Sequence, residues 1–200
     1  MISSRSLTPD VQLRIATLDD ADRLADTYIR SWDHLKPWEP DRPDSWFTPT
    51  GQRERLTRLL EQHKNGRTVP WVLAEGDRIV GAITLNDLVP GPFRSAALGY
   101  WLAIDAIGRG LATRAVEAVA EIADTELKLH RIEASTLTHN VASQRVLQRT
   151  GFAQIGTAPT YLHIAGAWRD CNLYQRILND REPGAQAGGS PTPRDTSTSS

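Results

Sequence analysis

The chain is expected to fold as a mixed α/β sandwich around one sheet, and three observations predict it. Hydrophobic spacing alternates between a period of two and a period near 3.6, in the order β-α-α-β-β-β-α-β-α-β-β. From Leu98 to Ala115 an apolar run passes through a glycine-spaced turn into a helical pattern. From Arg131 to Gly156 a strand pattern leads into a helix opened by Asn140 and closed by Gly151, and a second strand pattern follows.

Each element has its own signal. Val11 to Ala16 alternates apolar and polar residues and reads as the first strand. Thr17 with Asp20 three residues on resembles a capping box, and Leu24, Ala25, Tyr28, Ile29 and Trp32 then recur at helical spacing. Pro37, Pro40 and Pro43 stop that helix. Thr48 to His63, with Leu56, Leu59 and Leu60, forms the second helix. Trp71–Ala74 and Ile79–Leu85 flank Glu75-Gly76-Asp77-Arg78, a hairpin signal. Ala96 to Ile104 is the next strand, and Leu111, Ala115, Val119 and Ile122 stripe the helix after it. Arg131 to Leu137 is a strand, and another starts at Phe152.

Two hundred residues fit one domain with a sizeable core. A net charge of −1 supplies no field to recruit nucleic acid or an anionic membrane, so neither is expected as a partner. The single cysteine, Cys171, excludes an internal disulfide framework and reads as a buried, inert thiol. No apolar run reaches the ~20 residues of a membrane span, and no signal-peptide pattern follows Met1, so the expected compartment is cytoplasmic. His34, His63, His130, His139 and His163 lack ligand spacing, so no metal is expected. The organisation expected is a flexible N-terminus over 1–10, one domain over 11–180, and a Gly/Pro/Ser/Thr-rich tail over 181–200 that is too polar to order.

The run from Gly108 to Thr113 points to chemistry. Gly108 and Gly110 leave main-chain N–H groups uncovered where a helix begins, and such a start attracts anions. A Walker loop is absent, and the dinucleotide fingerprint fails because Thr113 stands where its third glycine belongs. The guest is therefore a phosphate-bearing molecule of another kind.

Set in order, Gly99-Tyr100-Trp101-Leu102, Gly108-Arg109-Gly110-Leu111-Ala112-Thr113, Arg131-Ile132-Glu133-Ala134, Asn140-Val141-Ala142-Ser143 with Leu147, and Gly151-Phe152 resemble the GNAT superfamily of N-acetyltransferases. Within it they resemble the RimJ/RimL type, as do Leu35-x-Pro37-Trp38 and the late Gly166-Ala167-Trp168-Arg169-Asp170. The resemblance spans about residues 11 to 178. It implies a mostly antiparallel central sheet flanked by helices, with a splayed strand pair that admits acyl-CoA. Pantetheine would lie along Leu102, Ala103 and Ile104. Gly108, Arg109, Gly110, Leu111, Ala112 and Thr113 would hold the pyrophosphate. One position departs from the superfamily pattern: Ile107 stands where Gln or Arg is usual, so one polar contact near the pyrophosphate is missing.

The resemblance also implies that Ser143 donates to the CoA sulfur and that Asn140 contacts CoA. From the residues alone, Ser143 is equally a helix N3 residue supporting the cap that Asn140 forms. Glu133 shares a strand face with Ser135 and has two readings, a general base or the partner of a nearby arginine. Trp32, Trp38 and Trp46 lie in the segment that shapes the acceptor cleft in this type; at helical spacing with Tyr28, Trp32 also reads as core. By family position Trp38, Tyr161, Trp168 and Asp170 border the acceptor, with Asp170 attracting a cationic amine.

The function expected is acetyl transfer from acetyl-CoA to a primary amine, above all the N-terminal α-amine of a protein or peptide, by direct attack in a ternary complex. Two alternatives stand beside it: acetylation of a small amine such as an antibiotic, a polyamine or an aminoacyl toxin, and a non-catalytic acyl-CoA-binding module. Self-association into a homodimer is open.

Overall fold

The computed structural model describes residues 2–183. Eight strands form one sheet in the order β1-β2-β3-β4-β5-β6-β8-β7. They are β1 (Arg5–Ser6), β2 (Val11–Ile15), β3 (Val69–Glu75), β4 (Arg78–Val89), β5 (Ser95–Leu102), β6 (Arg131–Leu137), β7 (Ala153–Ile164) and β8 (Ala167–Ile177). Every pairing is antiparallel except β5 with β6. Four helices complete the fold: α1 (Ala21–Leu35), α2 (Pro49–Lys64), α3 (Leu111–Thr125) and α4 (Val141–Arg149).

Both sheet faces are covered, as the alternation along β3 shows. Val69, Trp71 and Leu73 enter the larger core with Val116, Val119 and Ala120 of α3 and Leu147 of α4. Val72 enters a second core with Leu24 of α1 and Leu56 of α2. The sheet is therefore the middle of three layers. Leu24, Ala25 and Tyr28 of the α1 stripe are buried, but Ile29 is 59% exposed. Thr27 and Ser31 face inward instead, their hydroxyls bonded to the carbonyl of Ile79 and the N–H of Ile104.

The amino terminus departs from the expected loose segment. Arg5 pairs with Leu13 and Ser6 with Gln12, Leu7 is buried, and Arg5 forms an ion pair with Glu126 at 2.8 Å. Burial of Leu7, packing of Ile2 against the core and the Arg5 and Ser3 contacts to Glu126 accompany this extension of the sheet, although the segment has no strand periodicity. At the other end, Arg181 is bound to Asp124; the remainder of the expected tail, 184–200, lies outside the described residues.

The Thr17–Asp20 cap forms, with Asp20 Oδ2 accepting the Thr17 N–H at 2.9 Å. Asp20 is also wholly buried and takes both guanidinium nitrogens of Arg14, at 2.6 and 2.8 Å. Burial alone would raise its pKa, but the Arg14 and Thr17 hydrogen bonds outweigh this and hold it below the usual carboxylate value. Helix α2 opens on Thr48, whose hydroxyl accepts the Gly51 N–H at 3.1 Å.

Candidate active site

The parallel ladder between β5 and β6 runs only from Ser95 and Arg131 to Leu98 and Ala134. Beyond it, Gly99–Leu102 pair with β4 alone and Ser135–Leu137 with β8 alone. The strands therefore diverge, and a cleft of about 450 Å³ opens between them. It runs from Gly108 and Ala112 beside α3, past Tyr100, Leu102 and Ser143, to Trp38, Glu39 and Leu162.

The main chain of β5 defines one wall. Ala103 donates its N–H to the Val80 carbonyl at 3.0 Å, and Ile104 donates to Ser31 Oγ at 3.2 Å. Strand alternation then turns the N–H and C=O groups of Tyr100 and Leu102 into the gap. Of the expected pantetheine segment, only Leu102 presents its N–H. Ala103 is buried, and Ile104 lies in a 3-10 turn (Ile104–Ala106) instead of a strand. Tyr100 is the donor that reasoning from sequence missed.

The glycine loop has the expected form. Gly108 and Gly110 both adopt φ of +74°, and a Cβ at either would meet nothing, so the residue type serves conformation and open space. Helix α3 begins without a side-chain cap and without an acidic residue in its first turn. Its first helical bond comes from Arg114 to Gly110, which leaves the N–H groups of Leu111, Ala112 and Thr113 free of intrahelical partners. Two expectations narrow. The Arg109 side chain points to Glu75, which it binds, and Leu111 is core, so both contribute only main chain to the loop. Ile107 faces the cleft with its side chain exposed.

Helix α4 brings Ser143 to the cleft. Asn140 Oδ1 accepts the Ser143 N–H at 3.1 Å, and Val141 donates to the His139 carbonyl at 3.0 Å. Ala142, lining the cleft beside Ser143, keeps its N–H free of an intrahelical partner. Ser143 Oγ lies 2.8 Å from the Tyr100 hydroxyl, which also reaches the Ser143 carbonyl at 3.3 Å. Burial pushes the Tyr100 phenol up to about 12, with the Ser143 hydrogen bond opposing, so at neutral pH it is a proton-bearing donor.

Other expected site residues lie elsewhere. Glu133 sits in the paired part of β6 opposite Ala97, outside the cleft and bound to Arg131, which also stacks over Phe93 at 4.4 Å. The ion-pair reading of Glu133 is the one the structure realises. Asp170 accepts the Thr160 N–H at 2.9 Å, where Thr160 has φ of +46° in a β7 irregularity between Ala158 and Leu162. It braces a bulge and does not face the cleft. Tyr161 lies within that bulge. Trp168 is 63% exposed and packs edge-on against His163. The same hairpin instead sends Leu162 and Ile164 to the cleft. The bulge breaks simple alternation, so sequence periodicity could not select them.

Trp38 does line the cleft, stacked on His139 with ring centroids 5.4 Å apart. Trp32 and Trp46 do not line it. Trp32 packs edge-on against Phe47 and Trp46 against Tyr28. Glu39, beside Trp38, is a cleft carboxylate with no sequence signal beyond its neighbours.

A splayed strand pair, an uncapped helix start at one end and a hydroxyl pair midway define an acyl-CoA-dependent acyltransferase site. A profile described as the acetyltransferase (GNAT) domain matches residues 10–153, and the chain belongs to that family. It is 36% identical over 193 residues to the [ribosomal protein uS5]-alanine N-acetyltransferase of Escherichia coli, covering 92% of this chain and all of that one. Among solved structures it resembles the ribosomal-protein-S5-alanine acetyltransferase of Vibrio fischeri (TM-score 0.86, 33% identity, 90% of this chain and 100% of that one). It also resembles Mycobacterium smegmatis RimJ in complex with CoA-disulfide (TM-score 0.80, 33% identity, 84% and 81%). The chain is an acyl-CoA-dependent N-acetyltransferase, with acetyl-CoA as its acyl donor. Among the described residues, no helix is long and apolar enough to cross a membrane.

Proposed function

We propose that this chain acetylates the N-terminal α-amine of a protein, an alanine-led ribosomal protein being the first acceptor to test, in the cytoplasm. One observation carries the reading: the segments that bring Trp38, Leu162 and Ile164 to the cleft are tied to each other by a main-chain bond. Ala165, in the β7–β8 turn, donates its N–H to the Glu39 carbonyl at 3.4 Å, bridging those segments. A slender chain terminus fits beneath such a bridge better than a bulky polycation does. The name of the Escherichia coli relative supports alanine as the leading residue.

The bound donor supplies an activated thioester. The chain's own residues hold and shield it. Leu111, Ala112 and Thr113 present N–H groups to the pyrophosphate, with Gly108 and Gly110 shaping the approach. Leu102 and Tyr100 present main-chain donors along the gap, placed to polarise the thioester carbonyl. Ser143 Oγ gives its proton to the departing sulfur and recovers one from Tyr100, whose phenol refills from solvent. The acceptor ammonium loses one proton to water before attack and the adduct's nitrogen loses a second to water as the C–S bond breaks; an α-amine titrates near pH ~8, so modest help suffices for the first.

The test is acetyl transfer to synthetic peptides that differ only in their first residue, followed by release of free thiol. Turnover on Ala-led peptides and none on the same peptides with a blocked amine is expected. Turnover on spermidine or an aminoglycoside in preference to every peptide would reverse the reading.

A further inference from the structure

The cleft is lined mainly by apolar side chains, and among the described residues Glu39 is its sole carboxylate. Its side chain is only 14% exposed. Arg42 holds it: both Nε, at 3.1 Å, and Nη2 converge on Oε2. The guanidinium is fixed in turn, 3.9 Å above the Trp46 ring. Oε1 has no protein partner among the described residues, so one carboxylate oxygen is committed to the scaffold and the other is free. A carboxylate this little exposed, with one oxygen committed and the other free, can accept a further donor.

We infer that Glu39 is the anchor for the acceptor's ammonium group, its free Oε1 taking a hydrogen bond from the incoming α-amine beneath the Glu39–Ala165 bridge. This rests on the reading of a protein N-terminus as acceptor and adds the residue that recognises its charge. At neutral pH most α-amines arrive protonated, and entering an apolar mouth costs a cation its hydration unless a charge meets it. His34, which also lines the cleft, carries no negative charge, and Asp170 is spent on Thr160. The Arg42 clamp serves orientation: it holds the carboxylate by one oxygen in the cleft that Tyr100 and Ser143 also line. An amine bound there sheds its proton to water before attack.

The experiment measures binding and turnover separately, on the whole chain with CoA bound. An Ala-led peptide and its des-amino analogue, in which the ammonium is replaced by hydrogen, are titrated into wild type and Glu39→Gln. The amide oxygen of that variant can still accept from Arg42, so the loop retains its tie. Wild type is expected to prefer the amino peptide by about tenfold or more, the scale of a charge-assisted hydrogen bond. Glu39→Gln is expected to bind the two peptides alike. In turnover, Glu39→Gln raises the acceptor KM by a similar factor with kcat within about threefold, while the CoA Kd and melting temperature stay put. Glu39→Asp recovers part of the KM.

Equal discrimination by wild type and Glu39→Gln overturns the inference while leaving the acceptor assignment intact. A kcat loss without a KM change overturns it too, making Glu39 a proton acceptor. Wild type that binds and acetylates no peptide fells the acceptor assignment and this inference together.

Discussion

The Tyr100 hydroxyl lies 2.8 Å from Ser143 Oγ, joining a β5 side chain to the first turn of α4 across 43 residues of sequence. The contact sits where β5 and β6 have parted. Its energetic logic is that of a buried donor with one good partner. The Tyr100 phenol, raised to about 12 chiefly by burial, keeps its proton at neutral pH, so each hydroxyl of the pair carries a proton and either can donate to the other.

Ser143→Ala is expected to lower kcat by about 100-fold, at the low end for a positioned proton donor. CoA affinity should change little. Tyr100→Phe, which keeps the ring, should lower kcat less. Combined, the two should cost no more than Ser143→Ala alone, because they act as one unit. Fully additive losses in single-turnover rates would show that the two hydroxyls work separately.

Gly110 opens α3 at φ of +74°. Gly110→Ala should destabilise the fold by about 1 kcal/mol, the cost of placing a Cβ in the left-handed region. It should also weaken CoA binding measurably, because relief of that strain turns the helix start. Calorimetric titration with CoA and a thermal melt report the two effects independently; a variant as tight-binding as wild type would separate loop shape from affinity.

Ile107 puts an apolar, exposed side chain at the cleft beside Gly108. Ile107→Gln adds a donor there and is expected to tighten CoA binding by a few-fold, as one net hydrogen bond of about 1 kcal/mol allows. Unchanged or weaker affinity in the same titration would mean that the main-chain donors already saturate the pyrophosphate.

Asp20 is a buried carboxylate whose folded pKa lies below its unfolded value. The stability it adds is therefore present above the unfolded carboxylate pKa of about 3.9 and is lost as pH falls through the lower, folded value. Asp20→Asn should cost about 3 kcal/mol at pH 7, since Arg14 loses its buried partner. It should also flatten the acid limb of the stability curve. Chemical denaturation at pH 7 and at pH 3 checks both, and a variant whose deficit persists undiminished at low pH would contradict the linkage.

The order of strands and helices after β1, the caps at Thr17 and Asn140, and the bare start of α3 were legible in the chain. Each depends on neighbours within a few residues, where φ, ψ and side-chain reach act directly. The membership of Gly108, Ala112 and Ser143 in one cleft followed from ordered motifs rather than from any single one.

What the sequence by itself determined is the architecture and the glycine loop with its bare helix start: hydrophobic period, glycine placement and capping residues are local quantities. What only the tertiary structure decided is which side chains meet. The β7 bulge put Leu162 at the cleft and Asp170 against Thr160. The early end of the β5–β6 ladder placed Tyr100 on Ser143. Register at a bulge and divergence of a strand pair are set by packing between residues far apart in sequence, so no periodicity within either strand encodes them. Glu133 is bound to Arg131 and lies opposite Ala97, while its neighbour Ala134 lines the cleft.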